Sequence, residues 1–234
     1  ELSNQKSLVG LLDADFGLAN AHIMLDQKVN SSVIDLLDGT SQVEDLVHVT
    51  SSGVKLIPGG SGVLEIMNID SKKRWEVIKA VSYLENDLDF LFVDTPAGAS
   101  DSSIEFAAAC DKIIIVLVGE PTSFMDAYAF IKALSIEKSI DSVSIVVNMA
   151  RDAADALNSY KSFQKIVLRF LAIDLKFVGW LPQSTAISNS IVARKPFVLN
   201  KKANRNLTLR IEEIIKQVKE AAPVHSNSIK FFDR

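Results

Sequence analysis

Ser7–Asn20 reads SLVGLLDADFGLAN, and its first half decides the fold. SLVGLLD is an apolar run that does not alternate with polar residues and that ends in a carboxylate. A continuous run of this kind suits a parallel strand covered on both faces. The same pattern recurs in VKLIP (54–58), LDFLFVD (88–94), KIIIVLV (112–118), SVSIVVN (142–148) and LKFVGWLP (175–182). Segments of helical period lie between these runs. Trp75, Ile78, Val81 and Leu84 recur as a core-facing stripe. Ser123-x-x-Asp126 reads as a capping box opening a helix through AYAFIKALSIEK. Residues 151–172 read as a further helix, and Leu207, Ile211, Ile214, Ile215 and Val218 as the apolar face of a last one. Strands alternating with helices imply an α/β fold with a doubly wound, mostly parallel sheet and right-handed crossovers. The sequence has no internal repeat or linker, so one domain is expected over residues 1–222, followed by a tail at 223–234.

The 234 residues are 48% apolar, yet no run approaches the ~18 residues a membrane span needs. The net charge of −4, without a dense Lys/Arg stripe to offset it, predicts no direct nucleic-acid surface. One cysteine, Cys110, excludes a disulfide framework or a cysteine-bound metal within a single chain; at the end of FAAAC it reads as a small buried residue. The scattered His22, His48 and His225 suggest no metal site. No signal peptide is visible, so a cytoplasmic location is expected.

In a doubly wound sheet the ligand lies beyond the carboxyl ends of the strands, so the residues at those ends carry the functional reading. Asp13 and Asp15 are two apart, which puts both carboxylates on one face while the chain stays extended. Such a pair suits Mg²⁺ coordination or orientation of an attacking water, and a single aspartate there equally suits a helix cap. LDFLFVD ends in Asp94, a Walker-B form that holds Mg²⁺, and the turn Thr95-Pro96-Ala97-Gly98 brings backbone toward a phosphate. Asn148 ends the fifth run with a donor and an acceptor that match an adenine edge. Pro182 and the residues after it offer backbone to the other edge. LIPGGSGVLE (56–65) is glycine-rich, but Gly62 is followed by Val63 and Leu64 where a phosphate loop needs Lys and a hydroxyl. It reads as a strand-to-helix turn.

LLDADFGLAN, IPGGSG, VDTPAG, EPTSFMDAYAFIK and VVNMA together resemble the flagellar-number regulators of the FlhG/FleN type. These belong to the MinD/ParA group of deviant-Walker P-loop ATPases. The resemblance runs from about Ser7 to the terminal FFDR. It implies ATP and Mg²⁺ as cofactors. By resemblance, Asp15 positions the attacking water, with Asp13 supporting it and the metal, and Asp94 holds Mg²⁺ through water. Gly98 N–H senses the γ-phosphate, Asn148 and the Pro182 loop bind adenine, and Glu120 touches the ribose of a nucleotide held by a partner subunit. Two subunits close face to face over ATP, and hydrolysis is the timer. The implied partners are the flagellar GTPase FlhF, flagellar switch-complex proteins and a transcriptional activator. The tail, with Ile229, Phe231 and Phe232, is an amphipathic segment for the inner face of the cytoplasmic membrane.

Family members also begin with a strand, a K-G-G-x-G-K-T loop and a helix, a unit of roughly 30 residues. No G-K-[ST] occurs here, and truncation is the expected reason. Without the loop the chain is expected to be inactive alone, and a catalytically dead binding module of the same fold is the competing reading. Loss of an interior strand leaves two unpaired neighbours and exposed apolar surface, which predicts poor solubility. A nitrogenase-type iron protein is excluded by the single cysteine. A ligase of the dethiobiotin-synthetase group does not fit DADFGLAN with EPTSFMDAY.

Overall fold

The computed structural model describes residues 1–16, 18–60, 69–226 and 228–232. Each apolar run of the sequence becomes a strand: β1 Val9–Asp13, β3 Lys55–Ile57, β4 Phe90–Asp94, β5 Ile114–Val118, β6 Ser142–Ala150 and β7 Asp174–Pro182. A two-residue strand, β2 His48–Val49, was not foreseen and pairs antiparallel with β3. It is too short to show a pattern in sequence. The helices are α1 Ala21–Met24, α2 Val33–Leu37, α3 Ser71–Ser82, α4 Asp101–Ala108, α5 Pro121–Lys138, α6 Ala153–Leu168, α7 Thr185–Val192 and α8 Arg205–Glu220.

The strands form two sheets, ordered β2-β3-β1-β4 and β5-β6-β7, parallel except for β2. Val143 to Val147 of β6 are buried without alternation because helices cover both faces of that strand. β4 and β5 each keep one edge without a strand neighbour among the described residues. Their central apolar residues show it: Phe92 is 42% exposed and Val116 is 59% exposed. Helix α4 joins the halves. Its Ile104 and Ala107 enter the core under the three-stranded sheet, while Phe106, with Ala109 just beyond, enters the core under the other.

Two helix readings need correction. In α3 the buried positions are Arg74, Val77, Ile78 and Val81, a spacing of three, four and seven that leaves Trp75 off the stripe. Trp75 is exposed, under the Lys79 ammonium 4.9 Å from its ring centre. The stripe is shifted because Arg74 is drawn inward by an ion pair to Glu105 of α4 at 2.5 Å and by the Ile69 carbonyl. The Ser123 capping box does not form. Helix α5 begins at Pro121, whose missing N–H costs nothing in the first turn, with Glu120 as the residue before it. Ser123 Oγ instead accepts from Val118 N at 3.0 Å, tying α5 to the end of β5.

The apolar face of α8 packs on β7 as expected. Gly179, at φ +146°, lets it approach, since a Cβ there would stand 2.5 Å from Ile214. Lys112 Nζ caps the far end of α8, donating to the carbonyls of Val218, Lys219 and Ala221 at 2.7–2.8 Å. A cation at a helix C-terminus also complements the dipole.

The tail departs from the expected membrane-facing segment. Phe231 and Phe232 are buried in the core, with Phe231 stacked on Phe106 at 6.1 Å between ring centres. Val224 N donates to Asp111 O and Phe231 N to Ala109 O. Lys230 Nζ donates to Cys110 O at 2.8 Å and Ala108 O at 3.2 Å, capping α4. The backbone just past α4 has orphan carbonyls, and the tail satisfies them.

Candidate functional site

The C-terminal ends of β1 and β4 are in register, Asp13 opposite Asp94, and Ala14 N donates to Asp94 O at 2.8 Å. The structure separates the roles of Asp13 and Asp15. Asp13 is 2% exposed, and its carboxylate accepts from Asn20 N and Ala21 N at 2.9 Å and from Asp15 N at 3.3 Å. It therefore closes the loop after β1 onto the start of α1, which is the capping alternative. Asp15 lies further out, half-buried. Burial and the neighbouring Asp13 both raise its pKa from the ordinary value. Asp94 is also raised, first by burial and then by Asp13 and Asp15. Three carboxylates that repel one another at one sheet end are suited to a cation. Yet among the described residues no group of three or more His, Cys, Asp or Glu side chains is placed to hold a metal. Any Mg²⁺ here would need further oxygen ligands from water or a phosphate.

Gly59 and Gly60 of LIPGGSGVLE serve this loop. A Cβ on Gly59 would stand 2.2 Å from Asp13 O, and Gly60 has φ +93°. Val33 N donates to Pro58 O at 2.9 Å. Residues 56–60 thus form a close floor under Asp13. The remainder of the stretch, 61–65, lies outside the described residues. Gly98, in the loop after β4, has φ +88° and stands in open space.

The other three site residues lie on the second sheet. Asn148 is opposite Val118, and Pro182 is opposite Ala150. Asn148 Oδ1 accepts from Met149 N at 2.9 Å, with Met149 at φ +57°, which leaves the amide NH₂ for an incoming acceptor. Glu120 is exposed at the start of α5. Asp13, Asp15 and Asp94 are thus brought together at one sheet end, and Asn148, Pro182 and Glu120 at the carboxyl ends of the other. Sequence reading missed Gly59, whose only signal is its glycine pair. It also missed Phe16, which packs edge-on against Phe106 at 5.4 Å and links the Asp15 loop to the tail.

The ParA family, described as NUBPL iron-transfer P-loop NTPase, matches residues 1–219. The chain belongs to this family of P-loop NTPases. Within it, the relatives are of the MinD/FlhG type. The Antiactivator FleN of Pseudomonas aeruginosa is 32% identical over 183 residues, which are 78% of this chain and 65% of FleN. The Flagellum site-determining protein YlxH of Helicobacter pylori is 28% identical over 200 residues, 85% of this chain and 67% of YlxH. The chain thus spans about two thirds of these relatives' length, and less than two thirds of FleN. Among solved structures, the septum site-determining protein MinD from Pyrococcus horikoshii, complexed with Mg-ADP, superposes with a TM-score of 0.74 at 19% identity. That match covers 94% of this chain and 86% of MinD, and it establishes the fold. Iron transfer has no cysteine cluster to rest on in these residues. Cys110 is the one cysteine of the sequence, and burial pushes its thiol up to about 12.

Proposed function

We propose that this chain is part of an ATP-dependent dimerising switch that regulates flagellar number or placement, with Mg-ATP hydrolysis as its timer. The observation that carries the reading is the Asp13–Asp15–Asp94 cluster at the register-matched ends of β1 and β4. Its mutual repulsion favours a bound cation. The reading needs a strand and a phosphate loop from outside these residues, and the open edges of β4 and β5 offer the hydrogen-bonding positions for such a strand. The names of FleN and YlxH support a flagellar role.

Bound Mg-ATP would supply the reacting γ-phosphate and the charge that offsets the three carboxylates. Asp15 then orients the attacking water, and Asp13 holds the Asp15 loop through its three backbone N–H bonds. Asp94 would hold the metal through water. Gly98 presents its N–H to the γ-phosphate, since its left-handed backbone is open to approach. Asn148 NH₂ and the Pro182 backbone take the base. Glu120 meets the ribose across a homodimer. The output is partner binding: FlhF, the flagellar switch complex or a transcriptional activator, the last supported by the name antiactivator given to FleN. The cytoplasm is the setting of all these partners.

The test is size-exclusion chromatography of the full-length protein with ATP and with ADP. Asp15→Ala should trap an ATP-bound dimer with hydrolysis reduced by about 10²-fold or more. A variant that stays monomeric with ATP sinks the role of Asp15. Failure of the unsubstituted protein to bind ATP replaces the switch with a nucleotide-free binding module.

A further inference from the structure

Helix α3 buries one face and leaves the other to solvent. Opposite the buried Val77, Ile78 and Val81, its outward face presents Lys72, Trp75, Glu76, Lys79 and Tyr83, the last at the helix end. Spacings of three, four, seven and eleven residues from Lys72 align these positions along one side of a helix. Two contacts hold the side chains together there: Lys72 Nζ lies 3.9 Å from Glu76 Oε1, and Lys79 Nζ lies 4.9 Å from the Trp75 ring centre. Two large aromatics therefore stand in solvent, Trp75 at 44% and Tyr83 at 66% exposure. Tryptophan is ordinarily well buried, and Trp and Tyr are the side chains that most often anchor a protein interface. Lys72, Lys73 and Lys79 are exposed around them, against one acid of the helix, Glu76. Glu85 and Asp87 follow Tyr83, so the cationic part of this face is its Trp75 end.

We infer that the outward face of α3 is a docking surface for an acidic helix of a protein partner. Trp75 and Tyr83 stand eight residues apart, ~12 Å along the helix axis, which is the separation of apolar anchors two turns apart on a facing helix. The lysines beside Trp75 then meet acids that flank the partner's apolar anchors, the arrangement that sets register and orientation in paired helices. A single-stranded nucleic acid would reward the same charges, but it stacks successive bases on open aromatic faces. Here the Lys79 ammonium already covers one face of Trp75, and Tyr83 is two turns away. The inference is independent of whether nucleotide binds.

The test is fluorescence anisotropy of two labelled synthetic helices, titrated with the full-length protein. Both carry the same leucine seam, flanked by glutamate in one and by lysine in the other. The glutamate helix should bind and the lysine helix should not, and added salt should weaken the binding. Trp75→Ala should cost roughly thirtyfold in affinity, and Trp75→Phe should restore most of it. Lys72→Gln with Lys79→Gln should cost about fivefold at low salt and little at high salt. These positions are exposed, so the thermal midpoint of each variant should match the parent's. Phe170→Ala, at an exposed ring beside Tyr128 of α5, should leave binding unchanged. Equal binding of the two helices, no binding of the glutamate helix, or full affinity in Trp75→Ala overturns the proposal. So does self-association of the nucleotide-free parent that Trp75→Ala abolishes, which assigns the face to a second copy. Binding of labelled oligothymidine that Trp75→Ala abolishes overturns it as well, in favour of a single-stranded nucleic acid.

Discussion

Asp13 and Asp94 end neighbouring parallel strands directly opposite each other, one buried under backbone N–H groups and the other at the open end of β4. The pair, with Asp15, concentrates negative charge that a folded chain would otherwise avoid. The raised pKa values of Asp15 and Asp94 fix the sign of the consequence. A carboxyl whose pKa is raised on folding binds its proton more tightly in the native state. Its ionisation therefore weakens the fold as pH climbs from about 4, the unfolded value, through the raised value. Asp94→Asn should raise the thermal midpoint of the nucleotide-free protein at pH 7 by about 1–2 °C, and the gain should vanish near pH 3. Calorimetry across that range checks it. A destabilised Asp94→Asn at pH 7 would mean the three carboxylates do not repel as described.

Asp13 should behave in the opposite way. Its carboxylate satisfies Asn20, Ala21 and Asp15 amides inside the fold, so truncation orphans buried donors. Asp13→Ala should cost about 2–3 kcal/mol in urea denaturation. Asp13→Asn, which keeps a carbonyl acceptor, should cost less. Equal stability of Asp13→Ala and the parent would remove its positioning role.

Gly59→Ala tests the floor of the same loop. The added methyl would meet the Asp13 carbonyl at 2.2 Å, a backbone atom that cannot step aside as a side-chain tip does. The expected cost is about 1–3 kcal/mol, with a displaced Asp13–Asp15 loop. Gly98→Ala is the contrast, because its surroundings are open and only its left-handed φ resists, at about 1 kcal/mol. Chemical shifts of the Asp15 amide would separate the two variants. Perturbation by Gly98→Ala alone would contradict the close approach at Gly59.

Strands β1 and β3–β7 were legible because each is a continuous apolar run, a one-dimensional signal that burial on both faces imposes. The carboxylates were legible because they sit where such runs stop. What escaped was set by distant partners. Trp75 looked like core until Glu105 claimed its neighbour Arg74. Lys112 gives no local hint that it caps a helix ending more than a hundred residues later. The acidic total hid the cations between residues 194 and 210, because net charge averages over the whole sequence. The packing of the tail was hidden for a related reason: Phe231 and Phe232 beside Lys230 are amphipathic in sequence, and α4 supplies both an aromatic face and open carbonyls that receive them.

That docking makes the sharpest stability prediction. Phe231 stacks on Phe106, which is itself fully buried and edge-on to Phe16, the residue after Asp15. Phe231→Ala empties a core position and should cost about 3–4 kcal/mol. A tail held only against solvent would lose under about 0.5 kcal/mol. The series also predicts coupling: Phe16→Leu with Phe231→Leu should deviate from additivity by about 0.5–1 kcal/mol, because both rings lean on Phe106. Additive losses in a urea double-mutant cycle would mean that the Asp15 loop and the tail do not communicate through that ring. A small loss for Phe231→Ala would mean that the tail is undocked in solution.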